Sequence, residues 1–216
     1  MGQKVNPIGF RLGNTFSWKS RWIATSKDYS DKLLEDFTLR THLNKKLANA
    51  GVVEIDIERS LTTVKVILYV SRPGVVIGKG GTNLETIKSE VEKLLNTSKE
   101  KKDKVRVELK VEEVKKADLS AKLVAERIAD QLIKRFPHRR AVSQALEKVM
   151  GAGAKGVKIQ LSGRIGGAEI ARQEKYFEGS IPTQTLRANI DYFHAPARTR
   201  SGYVGIKVWI YKGEVV

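Results

Sequence analysis

The hydrophobic positions in the first half of the chain follow two spacings, one typical of helices and one typical of strands. In residues 38–50 leucines recur every four residues and the segment stops at Gly51, which predicts a helix. Residues 53–58 alternate between apolar and acidic side chains, and residues 63–70 are rich in β-branched side chains, so both are predicted strands. A turn at residues 60–62 would join them.

The pattern continues with two helices separated by a glycine-rich turn. Pro73 opens a short predicted helix that runs into the turn, and residues 84–95 then carry apolar side chains at helical spacing. A further alternating segment, residues 105–111, is a predicted strand. The resulting order is helix, strand, strand, short helix, turn, helix and strand.

The second half of the chain begins with helical spacing and ends with strand spacing. A helix is predicted with Asp118 as its N-cap and Phe136 on its apolar face, since Pro137 ends it, and a second helix is predicted over residues 141–150. From there the period changes to two, which predicts strands over residues 157–162, 186–192 and 203–211. Helices followed by strands indicate an α+β domain in which helices cover one face of an antiparallel sheet.

The turn between the two helices of the first half has the spacing G-x-x-G. Gly78 and Gly81 leave room for a sugar-phosphate backbone, Lys79 offers charge, and the helix after Gly80 and Gly81 begins with free N–H groups. An isolated G-x-x-G is more often an ordinary turn, but here the surrounding elements resemble the type II KH arrangement usual in prokaryotes. We therefore predict an RNA-binding turn at these four residues.

The residues of this turn do not match two other glycine-rich motifs, the nucleotide P-loop and the dinucleotide fingerprint. A nucleotide P-loop needs four residues between its first glycine and the Gly-Lys pair, whereas Gly74 and Gly78 enclose three, and Lys79 is followed by glycine rather than Ser or Thr. A dinucleotide fingerprint starting at Gly78 would need glycine in place of Asn83, and it would join a strand to a helix. We expect no cofactor.

The charge of the chain favours a polyanionic partner. Its 216 residues include 40 Lys and Arg against 24 Asp and Glu, for a net charge of +16. When the chain is divided after Lys110, each part carries +8, so the charge belongs to the folded body, although residues 99–104 form a predicted lysine-rich loop. This distribution of positive charge favours nucleic acid as the polyanion.

Other chemistries have little support in the composition. The chain has no cysteine, which excludes disulfides, thiolate zinc sites and cysteine nucleophiles. His42, His138 and His194 are too scattered to predict a metal site, and we expect none. No apolar run approaches the ~20 residues that span a bilayer, and the N-terminus lacks a hydrophobic signal core, so we expect a cytoplasmic chain without a membrane partner.

A basic region in the second half is the other candidate for RNA contact. Residues 134–172 contain nine basic side chains but only two acidic ones. Arg139 and Arg140 stand at a helix start, Arg164 is flanked by glycines, and Arg172 closes the region. A charged stretch is usually only a solvated surface, but this imbalance favours phosphate contacts. Trp209 and Tyr203 could stack on bases, although aromatic residues in strands more often pack.

The chain divides into four predicted segments. Residues 1–17 form an N-terminal arm that is loosely held when free, and Lys4 and Arg11 are its candidate RNA contacts. The type II KH domain, a charged connector and the C-terminal α+β domain follow, at residues 18–111, 112–117 and 118–216.

Four blocks of sequence, in this order along the chain, resemble the bacterial family of small-ribosomal-subunit protein three. They are MGQKVNPIGFRLG at residues 1–13, RPGVVIGK at 72–79, GRIGGAEIAR at 163–172 and GIKVWI at 205–210. The resemblance covers essentially the whole chain. It implies a non-catalytic constituent of the small-subunit head, bound to 16S rRNA and to ribosomal proteins ten and fourteen. Family members also line the channel by which messenger RNA (mRNA) enters.

The chain departs from the family next to its arginine pair. Relatives often carry further basic residues one turn after the positions of Arg139 and Arg140, whereas this chain has Ser143 and Gln144. The departure weakens the implied role in unwinding mRNA.

Two functions from other classes are alternatives to a ribosomal constituent. An enzyme, such as a KH-bearing GTPase, a nuclease or a DNA lyase, would need a P-loop or clustered carboxylates that the sequence lacks. A stand-alone KH regulator of transcription or RNA processing would share the glycine turn but not the opening and closing blocks.

Overall fold

A computed structural model describes residues 3–60, 62–96 and 105–215. The predicted lysine-rich loop at 99–104, and Leu61 of the predicted turn, lie outside these ranges. The chain forms two compact units, Trp18–Lys115 and Lys116–Val216, and Met1–Ser17 belongs to the second unit. The predicted boundary was the connector at residues 112–117.

Helices and strands occupy most of the described chain. The helices are α1 (Pro7–Phe10), α2 (Tyr29–Lys46), α3 (Pro73–Ile77), α4 (Thr82–Asn96), α5 (Ala121–Ile133) and α6 (His138–Gly151). The strands are β1 (Ser20–Arg21), β2 (Val52–Arg59), β3 (Thr63–Val70), β4 (Arg106–Glu113), β5 (Gly156–Gly163), β6 (Arg172–Gly179), β7 (Ala188–Thr199) and β8 (Gly202–Glu214).

The first unit is a four-stranded sheet packed against helices. Its strand order is β1-β2-β3-β4, with β2 and β3 antiparallel and both outer pairs parallel. The inward apolar side chains of the strands and of the helices pack into one core, which includes Leu39, Leu43, Ile57, Leu68, Ile87, Val91 and Val107. The predicted order of elements is confirmed, and it is the type II KH order.

Helix α2 begins nine residues before the predicted start at residue 38. Its first half carries Leu33, Leu34 and Phe37 at helical spacing, but these side chains are exposed, and the buried position is an acid, Asp36, which is 3% exposed. The Asp36 carboxylate accepts hydrogen bonds from the Trp22 indole at 2.8 Å and from the Arg59 guanidinium at 2.9 Å. The first half of α2 is therefore anchored to the unit by a buried ion pair rather than by its apolar side chains.

The second unit is a four-stranded antiparallel sheet with helices on one face. The strand order is β6-β5-β8-β7, and α5 and α6 pack on the sheet through side chains such as Ile128, Val142, Ile159, Ile206 and Val208. The predicted α+β class, with an antiparallel sheet covered by helices, is confirmed.

Several local predictions in this unit were wrong. Asp118 is not the N-cap of α5; it lies in a 3₁₀ turn and pairs with Arg127 at 2.8 Å. The first N–H of α5, on Ala121, instead donates to the Asp191 carboxylate at 3.1 Å. Strand β6 was missed because its core-facing side chains include Glu174 and Glu178, which break the apolar alternation. Strand β7 continues to Thr199, seven residues beyond the end of the predicted strand at residue 192.

The N-terminal arm packs on the second unit through Arg11. This side chain is 0% exposed, and its guanidinium donates to the main-chain carbonyls of Pro7, Thr183 and Thr185 at 2.8–2.9 Å. The Thr15 hydroxyl adds a bond to the Leu186 carbonyl at 3.1 Å. The prediction that Arg11 contacts RNA is corrected, because none of its surface is open to a phosphate.

None of the described helices is long and apolar enough to cross a membrane.

Replacing Arg11 with Ala should release the arm and destabilise the second unit. Three main-chain carbonyls would lose a charged donor, for which we expect a loss of about 3 kcal/mol in the free energy of unfolding. Thermal unfolding and limited proteolysis between residues 3 and 17 measure the effect. Lys4→Ala is the control, because Lys4 is exposed in the same arm. Equal protease resistance of Arg11→Ala and the unaltered chain would contradict the structural role of Arg11.

Candidate nucleic-acid interface

The glycine turn lies between α3 and α4 and depends first on Gly78. This residue has φ +70° and ψ −177°, a conformation that side chains disfavour, and a Cβ there would lie 2.7 Å from the Asn83 Cβ. The Asn83 side-chain amide donates to the Val75 carbonyl at 2.9 Å and so ties α4 to α3. Gly78 is therefore required by the fold, whatever binds at the turn.

Gly80 and Gly81 are required for a different reason. Both have positive φ, +61° and +80°, but a Cβ on either would meet nothing within 4 Å. The space beside them is open to an approaching backbone, and Lys79 is exposed between the glycines. Helix α4 begins at Thr82, whose own N–H donates to the Lys79 carbonyl, so the N-terminus of the helix follows the turn directly. The four predicted residues thus form a bare, positively charged helix start suited to a phosphate.

Arg139 and Arg140 lie exposed in the first turn of α6. This end of the helix is held on β6 by Glu174, whose carboxylate lies 3.1 Å from the His138 Nε2 and accepts the Tyr176 hydroxyl. The bond from Tyr176, together with the nearby His138 and Arg139, holds the pKa of Glu174 below its ordinary value. Arg140 lies with its Cζ 5.7 Å from the centre of the Phe136 ring, which limits its motion.

A cavity of about 420 Å³ opens beside this helix start. Its lining includes His138, Arg164 and Arg200, so the predicted Arg164 does share a surface with the beginning of α6. Arg164 is exposed, but its Nε donates to the Ala168 carbonyl at 2.8 Å and its Nη1 to the Ser201 carbonyl at 3.4 Å. Part of its donor capacity holds the loop, and the rest faces outward.

Arg135 is a lining residue of this cavity that sequence reasoning did not single out. It is the one non-glycine residue with positive φ, +60°, among residues 3–60, 62–96 and 105–215. The Arg135 N–H donates to the Leu132 carbonyl and the Phe136 N–H to the Gln131 carbonyl, which is the Schellman ending of α5. Glycine is the usual residue there, so Arg135 keeps a backbone conformation that side chains disfavour while lining the cavity.

The remaining candidates are dispersed. Arg172 is exposed at the start of β6, where it is paired with Gly163, the last residue of β5. Lys4 is exposed in the arm. The glycine turn belongs to the other unit. Within the described ranges, no three His or acidic side chains converge as metal ligands would.

A type II KH unit with a bare G-x-x-G turn, followed by an α+β unit with an arginine-lined cavity, defines an RNA-binding protein of the KH class. Comparison with known families refines that class. Residues 38–119 match the family model described as KH domain, and residues 128–210 match the one described as Ribosomal protein S3, C-terminal domain.

Full-length relatives give the same result. The small ribosomal subunit protein uS3 of Caldicellulosiruptor saccharolyticus is 49% identical over 216 residues, which is 100% of this chain and 94% of the relative. Those of Pelagibacter ubique and Coxiella burnetii are 50% identical over 215 residues, covering 100% of this chain and 92% and 91% of the relatives. The chain belongs to the uS3 family of small ribosomal subunit proteins. It is accordingly a structural, non-enzymatic constituent of the ribosome, which works in the bacterial cytoplasm.

Replacing Arg135 with Gly should stabilise the protein while weakening its binding to RNA. Glycine adopts positive φ without a Cβ clash, for which we expect a gain of about 1 kcal/mol in the free energy of unfolding. Lys134→Gly is the matched control, since it removes the same charge one residue earlier, where φ is −75°. Thermal unfolding should separate the two variants in opposite directions. A loss of stability in Arg135→Gly would show that the arginine itself supports the fold.

Proposed function

We propose that the chain binds 16S rRNA in the head of the small subunit and lines the channel by which mRNA enters. The observation that carries the proposal is the arginine cluster of the second unit. Arg135, Arg164 and Arg200 surround one cavity, and Arg139 and Arg140 follow on the adjoining helix start. Guanidinium groups held on a rigid helix and loop suit phosphates of structured RNA.

The glycine turn supplies a second and chemically different RNA contact. Its open side at Gly80 and Gly81 admits a sugar-phosphate backbone rather than a side chain. A short unpaired stretch of 16S rRNA is the ligand that we propose for it. The Lys79 ammonium and the N-terminus of α4 would neutralise one or two phosphates.

An apolar surface on the first unit supports contacts with neighbouring ribosomal proteins. Leu33, Leu34 and Phe37 on α2 are 49%, 62% and 67% exposed, and Ile23 just before the helix is 97% exposed. A cluster of large exposed apolar side chains is typical of a protein interface. We propose that ribosomal proteins ten and fourteen are the neighbours, with α2 as part of the contact.

A stand-alone KH regulator remains the alternative from another class. The two are separated by sedimentation of a cell lysate. A subunit constituent travels with small subunits and leaves them only at high salt, whereas a regulator stays with free protein or with unrelated transcripts.

Replacing Lys79 and Gly80 with Asp should weaken binding of the full chain to a short single-stranded RNA without unfolding it. Two negative charges would lie where phosphates pass, and aspartate tolerates the positive φ of Gly80 better than most residues. Thr41→Glu with Lys45→Glu is the matched control, because it makes the same change in net charge at two exposed positions of α2. Equal loss of affinity in both variants would show that the turn contributes only through the net charge of the chain.

Replacing Arg139 and Arg140 with Ala should slow translation of a message that carries a hairpin near the channel more than that of an unstructured message. The reverse change is available at Ser143, which is exposed one turn later on α6. Ser143→Lys restores a positive charge there and should speed translation through the hairpin. In a reconstituted system with both messages, equal slowing of the two by the alanine variant would leave the arginines as rRNA anchors and remove the channel role.

A further inference from the structure

Helices α5 and α6 pack on one face of the second unit's sheet, and the residues of the opposite face fall into rows that cross the strands. Strand pairing places Phe177, Lys158, Trp209 and Tyr192 side by side, one from each strand. The next row along the strands is Lys175, Gln160, Lys207 and His194. Beyond a row of small and polar residues, Arg198 and Tyr203 are paired at the end of the face. We call these residues the open face.

The first row of the open face is an aromatic platform. Phe177 is 72% exposed on the edge strand, and the Trp209 and Tyr192 rings lie with their centres 5.1 Å apart. The Lys158 Nζ lies 5.2 Å from the centre of the Trp209 ring. Trp209 also packs against a small buried cluster at the end of the sheet that includes Ile190 and Tyr211. The cluster thus flanks the platform at one side, while Phe177 is exposed and Trp209 and Tyr192 are partly exposed.

The open face carries positive charge and no acid. Lys158, Lys175, Lys207 and Arg198 all lie on it, whereas Glu174, Glu178 and Asp191 of the same strands point to the helix side. Glu174 is bound to His138 of α6, and Asp191 accepts the first N–H of α5. Because successive side chains of a strand point to opposite faces, the lysines lie on the open face and Glu174 and Asp191 lie on the helix side.

We propose that the open face binds an unpaired RNA segment, with its bases stacked on the aromatic row and its phosphates on the lysine row. The proposal rests on the RNA-binding function proposed above and specifies the ligand as single-stranded and base-bearing. Adjacent rows are about 7 Å apart, so one nucleotide can place its base on one row and its phosphate on the next. Charge complementarity selects a polyanion, and exposed rings beside lysines select one with π faces.

Cross-linking to the unaltered full chain locates the contact directly. A single-stranded RNA heptamer containing 5-iodouridine is bound to the protein and irradiated, and the cross-linked residues are mapped by mass spectrometry. We expect cross-links at Phe177, Trp209 or Tyr192. Cross-links confined to other parts of the chain would overturn the proposal.

Affinity measurements test the stacking. They use a chain that carries Lys79→Asp and Gly80→Asp, so that the glycine turn does not contribute. Phe177→Leu should weaken heptamer binding about tenfold with no change in salt dependence, and Phe177→Tyr should retain it. Lys207→Gln should lower the slope of log affinity against log salt by about 0.7. Phe37→Leu is the matched control, since Phe37 is also exposed but lies on α2.

Two competitors identify the ligand class. An abasic heptamer of the same charge and an acidic peptide should both bind more weakly than the base-bearing RNA. Equal binding of either competitor would show that the open face is a general polyanion site and would overturn the proposal. Cosedimentation of Phe177→Leu with small subunits is measured in parallel. Failure of the unaltered chain to cosediment would contradict the proposed ribosomal function, whereas loss of the heptamer effects alone would contradict only this inference.

Discussion

Carboxylates used as internal hydrogen-bond acceptors are the interaction on which both units depend. Asp36 holds the first half of α2 through Arg59 and Trp22, and Asp191 satisfies the start of α5. Glu174 fixes the start of α6 on the sheet. Because these acids are taken up by the protein's own donors, the surplus of basic side chains is left on the surface, where a polyanion can reach it.

The arginines divide between holding the protein together and facing outward, and their surroundings decide which. Arg11 donates through its two Nη atoms to main-chain carbonyls and is closed to solvent, so it attaches the arm to the second unit. Arg164 does both, since part of its guanidinium binds the loop beside the cavity. Arg135 lines the same cavity and has a positive φ, which is strained for a residue with a side chain. The arginine fork, with five donors, permits these combinations, which a lysine could not reproduce.

The glycines of the G-x-x-G turn show the same division between fold and ligand. At Gly78 a side chain would collide with Asn83, so the helix-to-helix turn alone explains the residue. At Gly80 and Gly81 there is no neighbour to avoid, and the absence of a side chain leaves a surface bare. A single sequence motif therefore contains one glycine that a neighbouring side chain requires and two that combine a positive φ with a surface open to an approaching ligand.

The sequence by itself determined the element order of the first unit, the α+β class of the second and the glycine turn, because each depends on local spacing or backbone freedom. It did not reveal α2 before residue 38 or strand β6, where acids such as Asp36 and Glu174 occupy inward positions with partners distant in the chain. Only the tertiary structure showed that Arg11 is buried, that Arg135 joins Arg164 at one cavity, and that Phe177 is aligned with Trp209. Those facts depend on strand register and on which side chains meet across the fold, and neither is encoded in the spacing of residues along the chain.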